Sequence, residues 1–216
     1  MELFEALYTT RAMRRTSTDP VPDEVVAAML DAAVRAPSGS NAQNWRFLTV
    51  TDQAVKDQLG PLYREAWTAL NETIYAGARE RAEEVGDDQS LRMMNSSDWL
   101  AENFERVPLW LMVFSRNDPS GASIYPAVWN AMLAARGHGI GTCLTTILGM
   151  FRQAEVFEVL GVPADKGWTM NAAVSAGYPT GRWGLAKRKP AHLVAFAERW
   201  DQSPAFTIDE PLWQEG

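Results

Sequence analysis

Apolar and polar positions alternate along this chain with two periods, and the switches between them mark the elements. Leu3, Phe4 and Leu7 fall at helical spacing and predict a short amphipathic helix over residues 2–10. Asp19-Pro20-Val21-Pro22-Asp23-Glu24 is a helix start, with Pro22 suited to the first turn and two acids facing the positive end of the dipole. Val25, Val26, Met29, Leu30 and Ala33 then form one face of a core helix that runs to about Arg35. Trp45 to Thr51 is rich in aromatic and β-branched residues over strand length. Helical spacing returns over 53–59 and again over 61–84, with Leu62, Ala66, Ala69, Leu70, Thr73 and Ile74 as the stripe. Gly86-Asp87-Asp88-Gln89-Ser90 and Met93-Met94-Asn95-Ser96-Ser97 predict a break, read as a mobile lid over 86–98 or as a plain surface loop, before a short helix restarts at Asp98-Trp99-Leu100.

The second half is more apolar. Leu109-Trp110-Leu111-Met112-Val113-Phe114 has no polar interruption, as expected of a central strand buried on both faces. Tyr125 to Arg136 predicts a helix, and the glycines of Gly137-His138-Gly139-Ile140-Gly141 stop it and feed a strand or crossover over 143–148. A helix over 153–160, a strand over 168–176 ended by Gly177-Tyr178-Pro179, and a last strand over 192–196 complete the pattern. Residues 201–216 read as an acidic arm, with Phe206, Leu212 and Trp213 as anchors to another surface. No repeat or linker divides the chain, so residues 1–216 are expected to form one domain.

Composition narrows the chemistry. A formal charge of -7 on 216 residues disfavours a nucleic-acid partner. No apolar run approaches membrane-spanning length, and the lone Cys143 allows no internal disulfide, which fits a reducing, cytoplasmic setting. Two histidines, His138 and His192, and one cysteine exclude the usual zinc motifs, and there is neither a Walker lysine nor a G-x-S-x-G turn. A chain so poor in catalytic side chains points to a cofactor that carries the reaction, with no metal and no catalytic side chain assigned.

Two basic clusters stand out in this acidic chain. Arg11-Ala12-Met13-Arg14-Arg15 holds three guanidiniums without an acid, and Arg182, Lys187, Arg188 and Lys189 form a second group. Arginine suits bidentate grip on phosphate, while a solvated basic helix end is the plainer alternative. Between them lies Pro37-Ser38-Gly39-Ser40-Asn41-Ala42-Gln43-Asn44-Trp45, whose hydroxyls and amides match a flat heterocycle with donors and acceptors on its edge, or simply make a polar helix-to-strand loop.

In order, the arginine motif, the P-S-x-x-N-x-Q-x-W loop from Pro37 to Trp45, the Gly-x-Gly-Thr turn at Gly139 to Thr142, Gly177-Tyr178-Pro179 and Arg188-Lys189-Pro190 resemble the FMN-dependent nitroreductase family over essentially the whole chain. The resemblance implies an α+β fold, with a central, mostly antiparallel sheet flanked by helices and an intertwined homodimer with FMN at the interface. It implies that Arg11 with Arg14 or Arg15, beside Met13, holds the phosphate and that Arg188 closes on it. Pro37, Ser38, Gly39, Asn41 and Gln43 would meet the ribityl chain and ring, with Thr142, Leu144 and Thr145 near the ring. Ala12, Met13, Thr16 and Ser17 depart from the family's usual serine and phenylalanine positions and leave the register between Arg14 and Arg15 open. The implied activity is transfer of reducing equivalents from NADH or NADPH to a small acceptor such as a nitroaromatic or quinone. Alternatives are a dehydrogenase, dehalogenase or flavin-consuming reaction on the same fold, or a non-catalytic flavin-binding protein.

Overall fold

In the computed structural model, which describes residues 1–214, the chain forms two compact units: residues 12–182, and residues 1–11 together with 183–214. The larger unit is built on four antiparallel strands, β1 (Trp45–Val50), β2 (Leu109–Ser115), β3 (Gly141–Thr145) and β4 (Thr169–Gly177), in the order β1-β2-β4-β3. Its helices are α2 (Asp23–Ala33), α3 (Gln53–Glu72), α4 (Ala78–Glu84), α5 (Asp88–Glu102), α6 (Ile124–Gly137), α7 (Ile147–Phe151) and α8 (Gln153–Leu160); α1 (Leu3–Thr9) belongs to the smaller unit. This is an α+β architecture, as the resemblance implied.

The uninterrupted apolar run of β2 has its reason in two cores. Leu109, Leu111 and Val113 face one side, where Val25, Met29 and Ala33 of α2 and Ala127, Val128 and Ala131 of α6 cover them. Trp110, Met112 and Phe114 face the other, against Leu59, Tyr63, Ala66 and Leu70 of α3, Leu100 of α5 and Val156 of α8. A strand alternates its side chains, so both halves of its sequence must be apolar when both faces are covered. Trp110 stacks on Phe104 at 4.2 Å between ring centroids and donates its indole N–H to the Phe104 carbonyl at 3.1 Å. β4 carries an extra residue: Val113 pairs with Ala172 but Phe114 pairs with Met170, leaving Asn171 as a bulge.

Three expected elements differ. The helix expected to restart at Pro61 is continuous from Gln53, with Pro61 inside α3. The missing N–H falls on an exposed turn, and the buried stripe of Leu59, Tyr63, Ala66 and Leu70 holds the helix across it. The chain leaves helix at Thr73 rather than near residue 84, and most of the expected break over 86–98 is α5. Asp87 caps α5 by accepting the Ser90 N–H at 3.1 Å, and Met94, Ser97 and Ala101 face inward at helical spacing. Its polar residues are fasteners: Asp98 accepts from Trp67 Nε1 at 2.9 Å and pairs with Arg79 at 2.5 Å, while Arg79 also reaches Asn95 Oδ1 at 2.7 Å.

In the smaller unit, the expected strand over 192–196 is instead a 3₁₀ turn at Ala191–Leu193. Its His192 Nδ1 accepts the Ile208 N–H at 3.0 Å, which ties the chain back on itself. The C-terminal arm meets α1 through Trp213, whose ring lies 5.8 Å from that of Tyr8; its residues 215 and 216 fall outside the described chain.

Candidate functional site

Residues 13–17 are extended and stitched along the sheet. The Met13 N–H donates to the Thr142 carbonyl at 2.9 Å, Ser17 to Tyr178 at 2.8 Å, and the Thr180 N–H to the Arg15 carbonyl at 3.1 Å, with a bridge between Thr16 and Pro179. Two glycines permit this approach. A Cβ at Gly141 would stand 2.8 Å from Met13 Cβ, and one at Gly177 2.9 Å from Thr16 Cβ. The glycines that read as punctuation in the sequence are thus the seat of the arginine segment.

On this segment Met13 is buried and the two arginines point differently. Half-buried Arg14 reaches Cys143 and Tyr63, whereas exposed Arg15 places its guanidinium 5.8 Å from the centroid of the Trp99 ring. Burial pushes the Tyr63 phenol up to about 12, against the opposing pull of its Thr145 hydrogen bond and the Arg14 charge. Burial likewise raises the Cys143 thiol, with Arg14 opposing, so Cys143 stays protonated at neutral pH and is no nucleophile. Neither Arg14 nor Arg15 has a carboxylate partner among the described residues, and the buried Thr16 Oγ1 has no hydrogen-bond partner there. Thr142, Leu144 and Thr145 all lie on β3, alongside this segment.

The polar loop lies elsewhere. A 3₁₀ turn spans Gly39–Asn41, and Ser40, Asn41 and Gln43 adopt left-handed backbone angles, φ 52, 55 and 49°. Left-handed non-glycine residues cost about 1–2 kcal/mol each and persist where surrounding structure fixes them, often at functional sites. Here Ser38 Oγ accepts the Gln43 N–H at 3.2 Å, Ser123 Oγ accepts that of Gly39 at 3.2 Å, and the Gln43 amide donates to Asn41 Oδ1 at 3.1 Å. Pro37, Ser38, Gly39 and Gln43 line a cavity of about 500 Å³ with the turn between β2 and α6; Asn41 is not among its walls.

The structure gathers Met13, Arg14 and Arg15 with Thr142, Leu144 and Thr145, but keeps Pro37 to Gln43 away from them. The loop feeds the start of β1, which pairs through Ser115 with Thr169, whereas Thr142 pairs with Ala176 on the opposite edge of the sheet. By ordinary strand spacing the two places are about 14 Å apart across the strands and about 20 Å apart along them. Arg11 and Arg188 belong to the smaller unit, where Arg188 Nη1 donates to the Lys187 carbonyl at 2.8 Å. Tyr63 and Trp99 join the arginine segment without having been read from the sequence. A tyrosine hydroxyl carried on the apolar stripe of α3 was the available signal for the first; nothing local marked the second.

Fold and site together define an α+β protein with an arginine-bearing segment hydrogen-bonded beside the end of a four-stranded sheet. The nitroreductase family model matches residues 7–178, and the chain belongs to that family. It is 28% identical over 179 residues to an iodotyrosine deiodinase of Thermotoga neapolitana, covering 82% of this chain and 88% of the relative. It is also 28% identical over 208 residues to an NADH dehydrogenase of Thermus thermophilus, covering 88% and 92%. Among solved structures, oxidised iodotyrosine deiodinase bound to FMN and 3-iodo-L-tyrosine superposes with a TM-score of 0.71 at 24% identity, over 93% of this chain and 100% of that one.

Proposed function

We propose that the protein is an FMN-dependent oxidoreductase that passes reducing equivalents from NADH or NADPH to a small organic acceptor, alternating the two substrates in one site. The observation that carries this reading is the segment bearing Arg14 and Arg15, hydrogen-bonded through Met13 to Thr142, whose two guanidiniums have no carboxylate partner among the described residues. Such a pair fits a phosphate monoester, which needs about two charge-assisted partners in a partly dry site. FMN, when bound, supplies the reversible two-electron chemistry that the side chains lack. Arg14 and Arg15 would hold its phosphate; Thr142, Leu144 and Thr145 would orient the ring. The described side chains then bind, orient and shield, and none needs to act as a general acid.

We infer that the polar loop reaches the flavin of a second copy. Pro37, Ser38, Gly39, Asn41 and Gln43 stand too far from Thr142 on their own sheet to share a ring with it, so a homodimer would complete each site from two chains. The α4–α5 region, which includes residues 86–98 and carries Trp99 to Arg15, would wall the acceptor side. The deiodinase relative supports a halogenated aromatic as one acceptor class, and the NADH dehydrogenase relative supports a nicotinamide donor.

Colour is the first test. Purified protein should show flavin absorbance or acquire it with added FMN, and NADH or NADPH should bleach it without oxygen. Protein that stays colourless with FMN refutes the reading, and a flavin that neither nucleotide bleaches removes the nicotinamide step. Arg14→Gln and Arg15→Gln should each weaken FMN binding about tenfold, whereas Arg35→Ala, in an exposed pair with Asp31, should not; equal affinities would overturn the phosphate assignment. Following flavin reoxidation by nitroaromatics, quinones and iodophenols then ranks the acceptors.

A further inference from the structure

At the end of the sheet away from Arg14 and Arg15, two more arginines converge on one aromatic ring. Arg46 of β1 places its guanidinium 5.2 Å from the centroid of the Trp168 ring, and Arg116, just after β2, places its own 5.1 Å away. The two guanidinium carbons are therefore no more than about 10 Å apart. Neither has a carboxylate partner among the described residues. Nearby Asp118 is engaged elsewhere, accepting the Ser123 and Ile124 N–H groups at 3.2 and 2.9 Å where α6 begins, and Asp165 pairs with Lys166 at 3.2 Å.

Most of their donors are unused. Arg46 spends one on the Trp45 carbonyl at 2.6 Å, and Arg116 spends one, at the long distance of 3.5 Å, on the Lys166 carbonyl. Arg116 Nε is buried without any hydrogen-bond partner among the described residues. Two like charges drawn to one ring repel each other, and a buried guanidinium N–H without an acceptor is unfavourable. The ring offsets part of that repulsion through its π face, and an oxyanion would remove both costs at once. Arg116 also lines the 500 Å³ cavity, whose other walls mix polar Ser38, Gln43 and Ser123 with apolar Pro37, Trp45 and Ile124.

We propose that Arg46, Arg116 and Trp168 form a second anion site that takes a phosphate dianion. A dianion matches two guanidiniums, whereas a monocarboxylate matches one. None of its three residues is among those given to the flavin, and it lies apart from Arg14 and Arg15, because Trp168 precedes the first residue of β4 and Thr142 pairs with Ala176 near its last.

The test is calorimetric titration of FMN-saturated protein with inorganic phosphate against chloride at matched ionic strength. Phosphate should bind at one site per chain, acetate at least tenfold more weakly. Arg46→Gln with Arg116→Gln should weaken phosphate at least tenfold, and Arg116→Lys, which keeps the charge and the fold but not the fork, should weaken it severalfold. Arg14→Gln with Arg15→Gln, titrated under the same conditions, should leave phosphate binding at this site unchanged even where FMN affinity falls, which separates failure here from failure of the flavin assignment. No phosphate binding above the chloride control, equal affinity in the Arg46 and Arg116 variants, or a loss of FMN rather than of phosphate in those variants would each overturn the proposal.

Discussion

Tyr63 shows what a single buried hydroxyl can report. Its phenol ionises near 10 in the unfolded chain and near 12 in the folded one, chiefly because burial disfavours the phenolate. Its folded value is raised, so the stability it contributes is complete below pH 10 and is lost as pH rises from 10 to 12; the loss amounts to about 2–3 kcal/mol at most. Alkaline denaturation should therefore steepen across this window, and Tyr63→Phe should flatten it while also losing the Thr145 hydrogen bond. An unchanged slope in the variant would show that Tyr63 is not the group responsible. Gly141 makes a second residue-scale case. Gly141→Ala puts a methyl 2.8 Å from Met13 Cβ and 3.1 Å from Pro179 Cβ, so the arginine segment must shift. FMN affinity is expected to fall about tenfold or more with little change in the α2–α6 core; unchanged affinity would mean that the segment's position does not matter.

Among elements, sequence legibility followed burial. β2, α2, α6 and α8 were readable because apolar period and burial agree in them: every residue of β2 is buried, and α2 buries Val25, Met29 and Ala33 at helical spacing. Pro61 and the stretch over 86–98 misled because local signals lost to tertiary ones. The buried stripe carries α3 through a proline, and Asn95 looks like a loop residue until Arg79 is brought to it. The last expected strand failed because His192 hydrogen-bonds the backbone at Ile208 rather than joining a ladder. Candidate residues divide in the same way: the arginine motif and the loop stand out by their local chemistry, whereas Trp99, Arg116 and Trp168 acquire meaning only from partners distant in sequence. The Asp98 fastener is testable as an element. Asp98→Ala leaves the Trp67 indole and Arg79 without their acceptor, and about 1–2 kcal/mol of destabilisation is expected for this half-exposed group. Limited proteolysis should accelerate between residues 73 and 87; an unchanged cleavage rate would show that other contacts hold α4 and α5.

For the molecule as a whole, the separation of loop and arginine segment on one sheet makes a prediction about assembly. A chain impaired in the arginine segment (Arg14→Gln, Arg15→Gln) and a chain impaired in the loop (Ser38→Ala, Asn41→Ala) should each bind FMN poorly alone. Mixed after unfolding and refolding, they should recover about a quarter of the sites, because half of the dimers are mixed and each mixed dimer has one intact site. No recovery, together with monomeric behaviour in solution, would mean that each chain builds its site alone.

The strand order has a further consequence. The 13–17 segment donates a hydrogen bond to β3 at one margin of the sheet, but at the other margin β1 has only β2 as neighbour among the described strands. The outward N–H and C=O groups of alternate residues along its six-residue length are thus open to any passing strand, a hazard during synthesis as much as after it. Arg46 and Thr49 are the exposed residues of that strand, and a charge near its start is the usual deterrent. Arg46 would then protect the nascent chain from sticking to its neighbours before any ligand is met.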